Sequence, residues 1–228
     1  MSTIADNIAE VEARIRAAAL AVQRDVTSIH LLAVSKTKPA AALREAYAAG
    51  VRDFGENYLQ EARAKQVELA DLPLSWHFIG PTQSNKTRDI AEHFSWVHSV
   101  DRLKIAQRLS EQRPADLEPL NICIQVNVSG EASKSGCTPQ DLPALAAAIN
   151  GLPRLKLRGL MAIPEPTEDR AEQDAAFATV RDLQQSLNLG LDTLSMGMSH
   201  DLESAIAQGA TWVRIGTALF GARDYGQA

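Results

Sequence analysis

Lys36 closes the apolar run Ile-His-Leu-Leu-Ala-Val-Ser at residues 29 to 35 and is followed by Thr37, Lys38 and Pro39, which cannot continue a buried strand. The spacing puts an amine at a strand's carboxyl end. In parallel α/β proteins that edge is where ligands bind, and a lysine emerging from an apolar wall is the group that forms imines with aldehydes and ketones. To attack a carbonyl the ammonium must lose a proton. Its pKa of about 10.4 then has to fall by about 3, worth roughly 4 kcal/mol, which burial and neighbouring cations supply. Lys38 is the competing amine. Its place before Pro39, at the start of a helix, favours a solvated loop, whereas Lys36 keeps the alternation of Leu32 and Val34.

A second constellation lies further along. Met196-Gly197-Met198-Ser199-His200-Asp201 and Arg214-Ile215-Gly216-Thr217 each lead into a glycine and a hydroxyl. Glycines let backbone N–H groups approach an anion, Ser199 is placed to cap a helix beginning near His200 while offering its hydroxyl, and a helix N-terminus adds a favourable dipole. Together they read as a phosphate cradle. Arg214 lies inside its apolar segment, so its guanidinium is expected to point inward as a donor that cannot hand over its proton. Plainer alternatives stand beside these: a snorkelling lysine at Lys36, an ordinary cap and turn at Ser199, an ion pair across the core at Arg214. His77 and His98 have no metal-ligand spacing and are expected as satisfied core histidines or supports for a site, with no metal. Trp76, Trp96 and Trp212 read as filling for the core and the helix layer.

Such groups need a scaffold that alternates strands and helices. Candidate strands cover residues 29–35, 51–54, 75–79, 96–99, 120–128, 155–163, 193–196 and 212–215. Between them lie punctuated helices: 39–49 with Pro39 at its first turn and Gly50 past its end, one opened by a Thr138–Asp141 capping box, one carrying Phe177, Val180, Leu183 and Leu187 before Gly190, and 201–208 before Gly209. Ile4, Ile8, Val11, Ile15, Ala18 and Val22 mark an extra amphipathic helix at the front. The pattern predicts an α/β fold, a (β/α)8 TIM barrel forming one domain over residues 1–228. A doubly wound open sheet is the alternative, and no GxGxxG or P-loop sequence supports it. In a barrel the strand ends converge on one face: Lys36, Glu56 and Asn57, Gly80 with Gln83 to Lys86, Ser99 and Asp101, Asn127 and Ser129, Met161, Gly197 and Ser199, Gly216 and Thr217.

Composition narrows the partners. The charge of −5, with 23 basic residues scattered among 28 acidic ones, argues against nucleic acid and anionic membranes, leaving a small molecule. No run of 18 apolar residues and no basic-then-apolar leader is present, so a soluble cytoplasmic protein is expected, and a monomer. Cys123 and Cys137 read as reduced and structural.

The stretches LLAVSKTKP (31–39), FGENYLQEARAK (54–65), WHFIGPTQSNKTR (76–88), WVHSVD (96–101), QVNVSGEASKSGC (125–137), RGLMAIP (158–164) and LSMGMSHDLESAIAQGATWVRIGTALFGAR (194–223) cover nearly the whole chain in order. They resemble the pyridoxal phosphate homeostasis proteins, which are similar to the N-terminal barrel of alanine racemase. The resemblance implies a barrel that binds pyridoxal 5'-phosphate (PLP), with Lys36 holding it as a Schiff base and Asn57 nearby. It assigns the phosphate to Ser199, Gly216 and Thr217, and the pyridine nitrogen to Arg214. An arginine there leaves that nitrogen unprotonated, so the ring is a weaker electron sink than with a carboxylate partner. Met161 and Ser195 are implied to line the pocket. His200 departs from the smaller or apolar residue often found after GMS.

Three functions follow. The first is a protein of intracellular PLP homeostasis that holds the cofactor and supplies it to apo-enzymes without strong turnover. Racemases of this barrel type add a β-rich domain and a tyrosine base from a partner subunit, and none of Tyr47, Tyr58 and Tyr225 is an obvious second base. The second is a PLP-dependent racemase-like enzyme or weak transaminase with Lys36 as the returning base. The third is a class I aldolase acting on a sugar phosphate.

Overall fold

Eight parallel strands close on themselves in sequence order: β1 (His30–Val34), β2 (Asp53–Glu56), β3 (Ser75–Phe78), β4 (Trp96–Val100), β5 (Leu120–Gln125), β6 (Leu155–Met161), β7 (Thr193–Ser195) and β8 (Trp212–Ile215). Their seam is the β1–β8 pair, in which Leu32 lies beside Arg214. The helices are α1 (Ile4–Ala21), α2 (Ala40–Ala48), α3 (Leu59–Glu68), α4 (Thr87–His93), α5 (Leu103–Gln112), α6 (Leu142–Asn150), α7 (Arg170–Ser186), α8 (Leu202–Ala207) and α9 (Thr217–Phe220). This computed structural model describes residues 2–130 and 135–221. Residues 131 to 134 of the QVNVSGEASKSGC stretch, Ala222 and Arg223 of the last stretch, and Tyr225 lie outside the described residues.

Successive side chains of a strand face opposite ways, so each barrel strand serves two apolar compartments. Inside sit Leu32, Trp96, Cys123, Met161 and Trp212. Outside, Ala33, Phe54, Val97, Ile122, Leu160 and Val213 meet helix residues such as Leu43, Ala62, Ile90 and Leu109. Trp76 belongs to this outer layer, 6.0 Å from Phe54.

All eight expected strands are present, with shifted ends. β2 starts at Asp53 because the Val51 N–H is taken by the Ala46 carbonyl, closing α2. β5 stops at Gln125 because the next backbone turns to Cys137: Val126 bridges it, and the Asn127 N–H donates to its carbonyl. α6 starts at Leu142, after a turn in which the Thr138 hydroxyl and Asp141 bond each other. α1 opens with a Thr3–Asp6 capping box and buries Ile8, Val11, Ile15 and Ala19 against α2, α8 and α9. Val22 falls at its C-cap and is exposed. No described helix is long and apolar enough to cross a membrane.

The β6–β7 contact leaves no room at Gly159, where a Cβ would run into the Thr193 carbonyl. Gly159→Ala is expected to lower unfolding free energy by about 3 kcal/mol, read as a shifted midpoint in urea denaturation.

Candidate functional site

A cavity of about 310 Å³ opens at the carboxyl ends of the strands, within the size range of small-molecule sites. It gathers Lys36 from the end of β1, Asn57 after β2, Ser199 after β7, and Arg214, Gly216 and Thr217 from β8 and beyond. Val34, Ile79, Ile163 and Met198 give it apolar walls, and Lys38, His200 and Gly221 complete the lining. Among the described residues, those at and after the ends of β4 and β5 are not part of the lining: Ser99 bonds Thr82 and the Gly80 carbonyl, and Ser129 bonds Asn127.

Lys36 faces the cavity because it shares the side of β1 taken by Leu32 and Val34. The turn carrying it is tied down from behind. Lys65, buried on α3, donates to the Ser35 carbonyl at 2.7 Å, to Glu56 at 2.7 Å and to Glu61 at 2.6 Å. Glu56 also accepts from the Ser35 hydroxyl, and Glu61 from the Thr37 N–H. Both neighbours of Lys36 are thereby fixed, and Thr37 is held at a φ of 64°, a left-handed conformation that a threonine rarely adopts. Burial pushes the Glu56 carboxyl up from its ordinary range, while Lys65 and Ser35 pull it back. Sequence reasoning missed Lys65, since a Glu61–Lys65 pair four residues apart on a helix has the form of a surface ion pair.

Lys38 is not the solvated loop residue expected. Its ammonium donates to the carbonyls of Phe220 and Gly221 at 3.0 and 3.4 Å, tying the first strand-end turn to the end of α9.

Arg214 points inward and is 4% exposed. Its Nη1 donates to Ser195 Oγ at 2.9 Å and its Nη2 to the Ala162 carbonyl at 3.0 Å. Both partners are neutral, so the ion pair across the core is not formed. Burial brings the guanidinium down to about 10, and it stays charged at neutral pH. Ser195 and Met161 are fully buried beneath the cavity rather than along its wall: Ser195 supports Arg214, and Met161 packs among Leu32, Cys123 and Trp212.

The turn after β7 also differs from expectation. Gly197 is needed there, with a φ of 98° and an added Cβ only 2.5 Å from the Ala205 methyl. α8 starts at Leu202 with Asp201 as its cap, so Ser199 does not cap it; Asp201 accepts from the Met198 N–H at 2.6 Å, and Arg14 holds the Ser199 carbonyl at 3.0 Å. On the other side, a Cβ at Gly80 would strike the Asn57 carbonyl, so the glycine lets β3's end lie against Asn57.

The donor set indicates what the cavity can hold. Among the described residues that line it are three cations, Lys36, Lys38 and Arg214, and no carboxylate, a lining that suits an anion. Ser199 and Thr217 add hydroxyls, the apolar walls suit a ring, and the buried Asn57 Oδ1 has no partner. An anionic aromatic aldehyde with a hydroxyl substituent matches these groups: the amine at Lys36 for the carbonyl, the cations and hydroxyls for the charge, the unpartnered Oδ1 for a donor.

Comparison with known proteins agrees with this chemistry. The alanine racemase N-terminal domain family matches residues 4–224. The chain is 79% identical over 226 residues to the pyridoxal phosphate homeostasis protein of Pseudomonas aeruginosa, covering 99% of this chain and 98% of that one. It is 56% identical to the protein of that name from Vibrio cholerae, covering 99% and 98%. PipY of Synechococcus elongatus, solved with PLP bound, superposes with a TM-score of 0.84 at 44% identity, covering 96% of this chain and all of that one.

The clamp behind Lys36 makes a direct prediction. Lys65→Met leaves Glu56 buried and unpaired, and is expected to cost about 3–5 kcal/mol of stability in chemical denaturation, part of which Lys65→Met with Glu56→Gln recovers.

Proposed function

Because the chain belongs to the alanine racemase N-terminal domain family, among the pyridoxal phosphate homeostasis proteins, we propose that it holds PLP at the barrel mouth and gives it up again, maintaining the supply of this reactive aldehyde. The observation that carries this reading is the convergence of Lys36 with Lys38, Arg214, the Ser199 and Thr217 hydroxyls and the unpartnered Asn57 Oδ1 around one cavity. When bound, the cofactor supplies an aldehyde carbon to an amine and a conjugated ring that withdraws charge from it.

The chain's own residues do the rest. Lys36 presents its Nζ from the end of β1 for covalent attachment. Ser199 and Thr217, with the backbone at Gly216, hold the phosphate. Arg214 donates to the ring nitrogen, and a guanidinium that keeps its proton leaves that nitrogen without one. Asn57 Oδ1 accepts from a polar substituent of the ring. Ser195 and Met161 serve from below, as support for Arg214 and as floor.

Holding is better supported than turnover. Two-base racemisation needs a proton carrier on each face of the reacting carbon, and no tyrosine is among the described residues lining the cavity. Tyr47 lies under the Arg52 guanidinium, 3.8 Å from its ring centre, and Tyr58 is exposed to solvent. The recipients are apo-enzymes that need PLP, reached in the cytoplasm by a monomer open at the mouth of its barrel.

The purified protein is expected to absorb in the visible and, after borohydride reduction, to carry the added mass on the peptide containing Lys36. Lys36→Ala loses both; the mass appearing unchanged on another peptide contradicts the assignment. Ser199→Ala with Thr217→Ala removes two charge-assisted hydrogen bonds of about 1.5 kcal/mol each, so release in stopped-flow transfer to an apo-enzyme should quicken about 100-fold. Steady amino-acid racemisation above about 1 per second would favour the enzyme instead.

A further inference from the structure

A single file of hydrogen bonds runs through the barrel interior from its far mouth to Arg214. Asp53 Oδ1, at the start of β2, lies 2.9 Å from His77 Nε2. His77 Nδ1 lies 2.9 Å from His98 Nε2, His98 Nδ1 lies 2.7 Å from Ser195 Oγ, and Ser195 Oγ accepts from Arg214 Nη1 at 2.9 Å. Both histidines are fully buried. Trp96 stacks on His77 with 5.5 Å between ring centres and 6° between planes, and Trp212 meets it edge-on at 4.8 Å. Ser75 Oγ, 3.3 Å from His77 Nε2, is a longer second neighbour at the entrance.

The ends of the file fix its direction. Arg214 can only donate and the Asp53 carboxylate can only accept, so every group between must take one hydrogen bond and pass one on. Ser195 therefore gives its proton to His98 Nδ1, His98 gives its Nε2 proton to His77 Nδ1, and His77 gives its Nε2 proton to Asp53. Both rings are neutral with the proton on Nε2. Burial, the largest influence on each, pushes both histidines down, and His77 and Arg214 push His98 further, in keeping with neutral rings.

We propose that Asp53 is a remote positioning residue for the cavity: its charge sets the direction of the file, so that Ser195 Oγ must turn a lone pair to Arg214 and hold the guanidinium in its ring-facing orientation. The proposal rests on the ring-nitrogen role given to Arg214 above. Without the carboxylate the file can reverse. An amide at this position can donate to His77 Nε2, moving the protons of both rings to Nδ1, and Ser195 is then left with two donors facing it and its own proton unplaced.

The test is nitrogen-15 NMR of the histidine side chains in the cofactor-free protein, joined to absorbance of the PLP-loaded protein. In the unsubstituted chain, His77 and His98 should each show one neutral form protonated at Nε2. In Asp53→Asn, His98 should gain signal from the Nδ1–H form, the absorbance maximum of bound PLP should move, and PLP release should quicken by about 2- to 30-fold. Asp53→Glu should restore the original pattern. Should Asp53→Asn fail to fold, Ser195→Ala cuts the file at Arg214 and should move the absorbance while leaving His77 protonated at Nε2. The proposal is overturned if His98 carries its proton on Nδ1 or is charged in the unsubstituted protein, if Asp53→Asn leaves its tautomer unchanged, or if tautomer and absorbance change independently. Failure of the unsubstituted protein to bind PLP sinks the function proposed above instead, since the NMR assignment needs no ligand.

Discussion

A lysine can be aimed into the mouth of a barrel only if the turn that carries it cannot relax outward, and here that constraint is met by another lysine. The Lys65 ammonium, enclosed between α3 and the end of β1, joins the Ser35 carbonyl to two carboxylates, one of which also reaches the Thr37 N–H. Unpaired, any of these charges would be expensive to bury; bonded to one another they stabilise a left-handed threonine that the chain would otherwise abandon. The arrangement keeps the two amines in separate roles. Lys65 is fully engaged on the helix side of the strand, and Lys36 lines the cavity on the other.

Beneath the cavity the barrel uses its interior unusually. Many such barrels fill this space with layers of branched aliphatic side chains, whereas here two tryptophans wall in two histidines and the aliphatic share falls to Leu32 with Cys123 and Met161 nearby. The polar file is satisfied at every joint, which is the condition under which buried polar groups rigidify a core rather than weaken it. It also lets a permanently charged guanidinium sit deep in the barrel on two neutral oxygens.

Much of the frame was legible in the sequence because strand ends and helix ends carry chemical punctuation. Pro39, Gly50 and Gly209 bracket the helices where expected, whereas α7 stops at Ser186, before a left-handed Asn188 and short of Gly190; the alternation of Leu32, Val34 and Lys36 marked the inward side of β1, but Lys38 lines the cavity as well. What stayed hidden depends on contacts between distant segments. Ser199 as a helix cap was a local inference, displaced because Asp201 reaches the Met198 N–H and starts the helix two residues later. Met161 and Ser195 share strands with pocket residues, but strand tilt sets their depth, and they lie a layer lower. The file from Asp53 to Arg214 links five strands through pairings up to 97 residues apart, and no local pattern marks it.

Lys38, holding the carbonyls at the end of α9 from 182 residues away, carries an implication for how the molecule comes into being. The seam between β1 and β8 joins the first strand of the barrel to the last, so the walls on either side of it are far apart in sequence. During translation Lys36, at the end of the first strand, emerges long before Ser199 and Thr217, so a half-synthesised chain on the ribosome holds the proposed point of attachment without the proposed phosphate cradle. On the site assignment proposed above, capture of the cofactor waits for synthesis to pass Thr217, and an exposed first edge must be kept from pairing elsewhere until then.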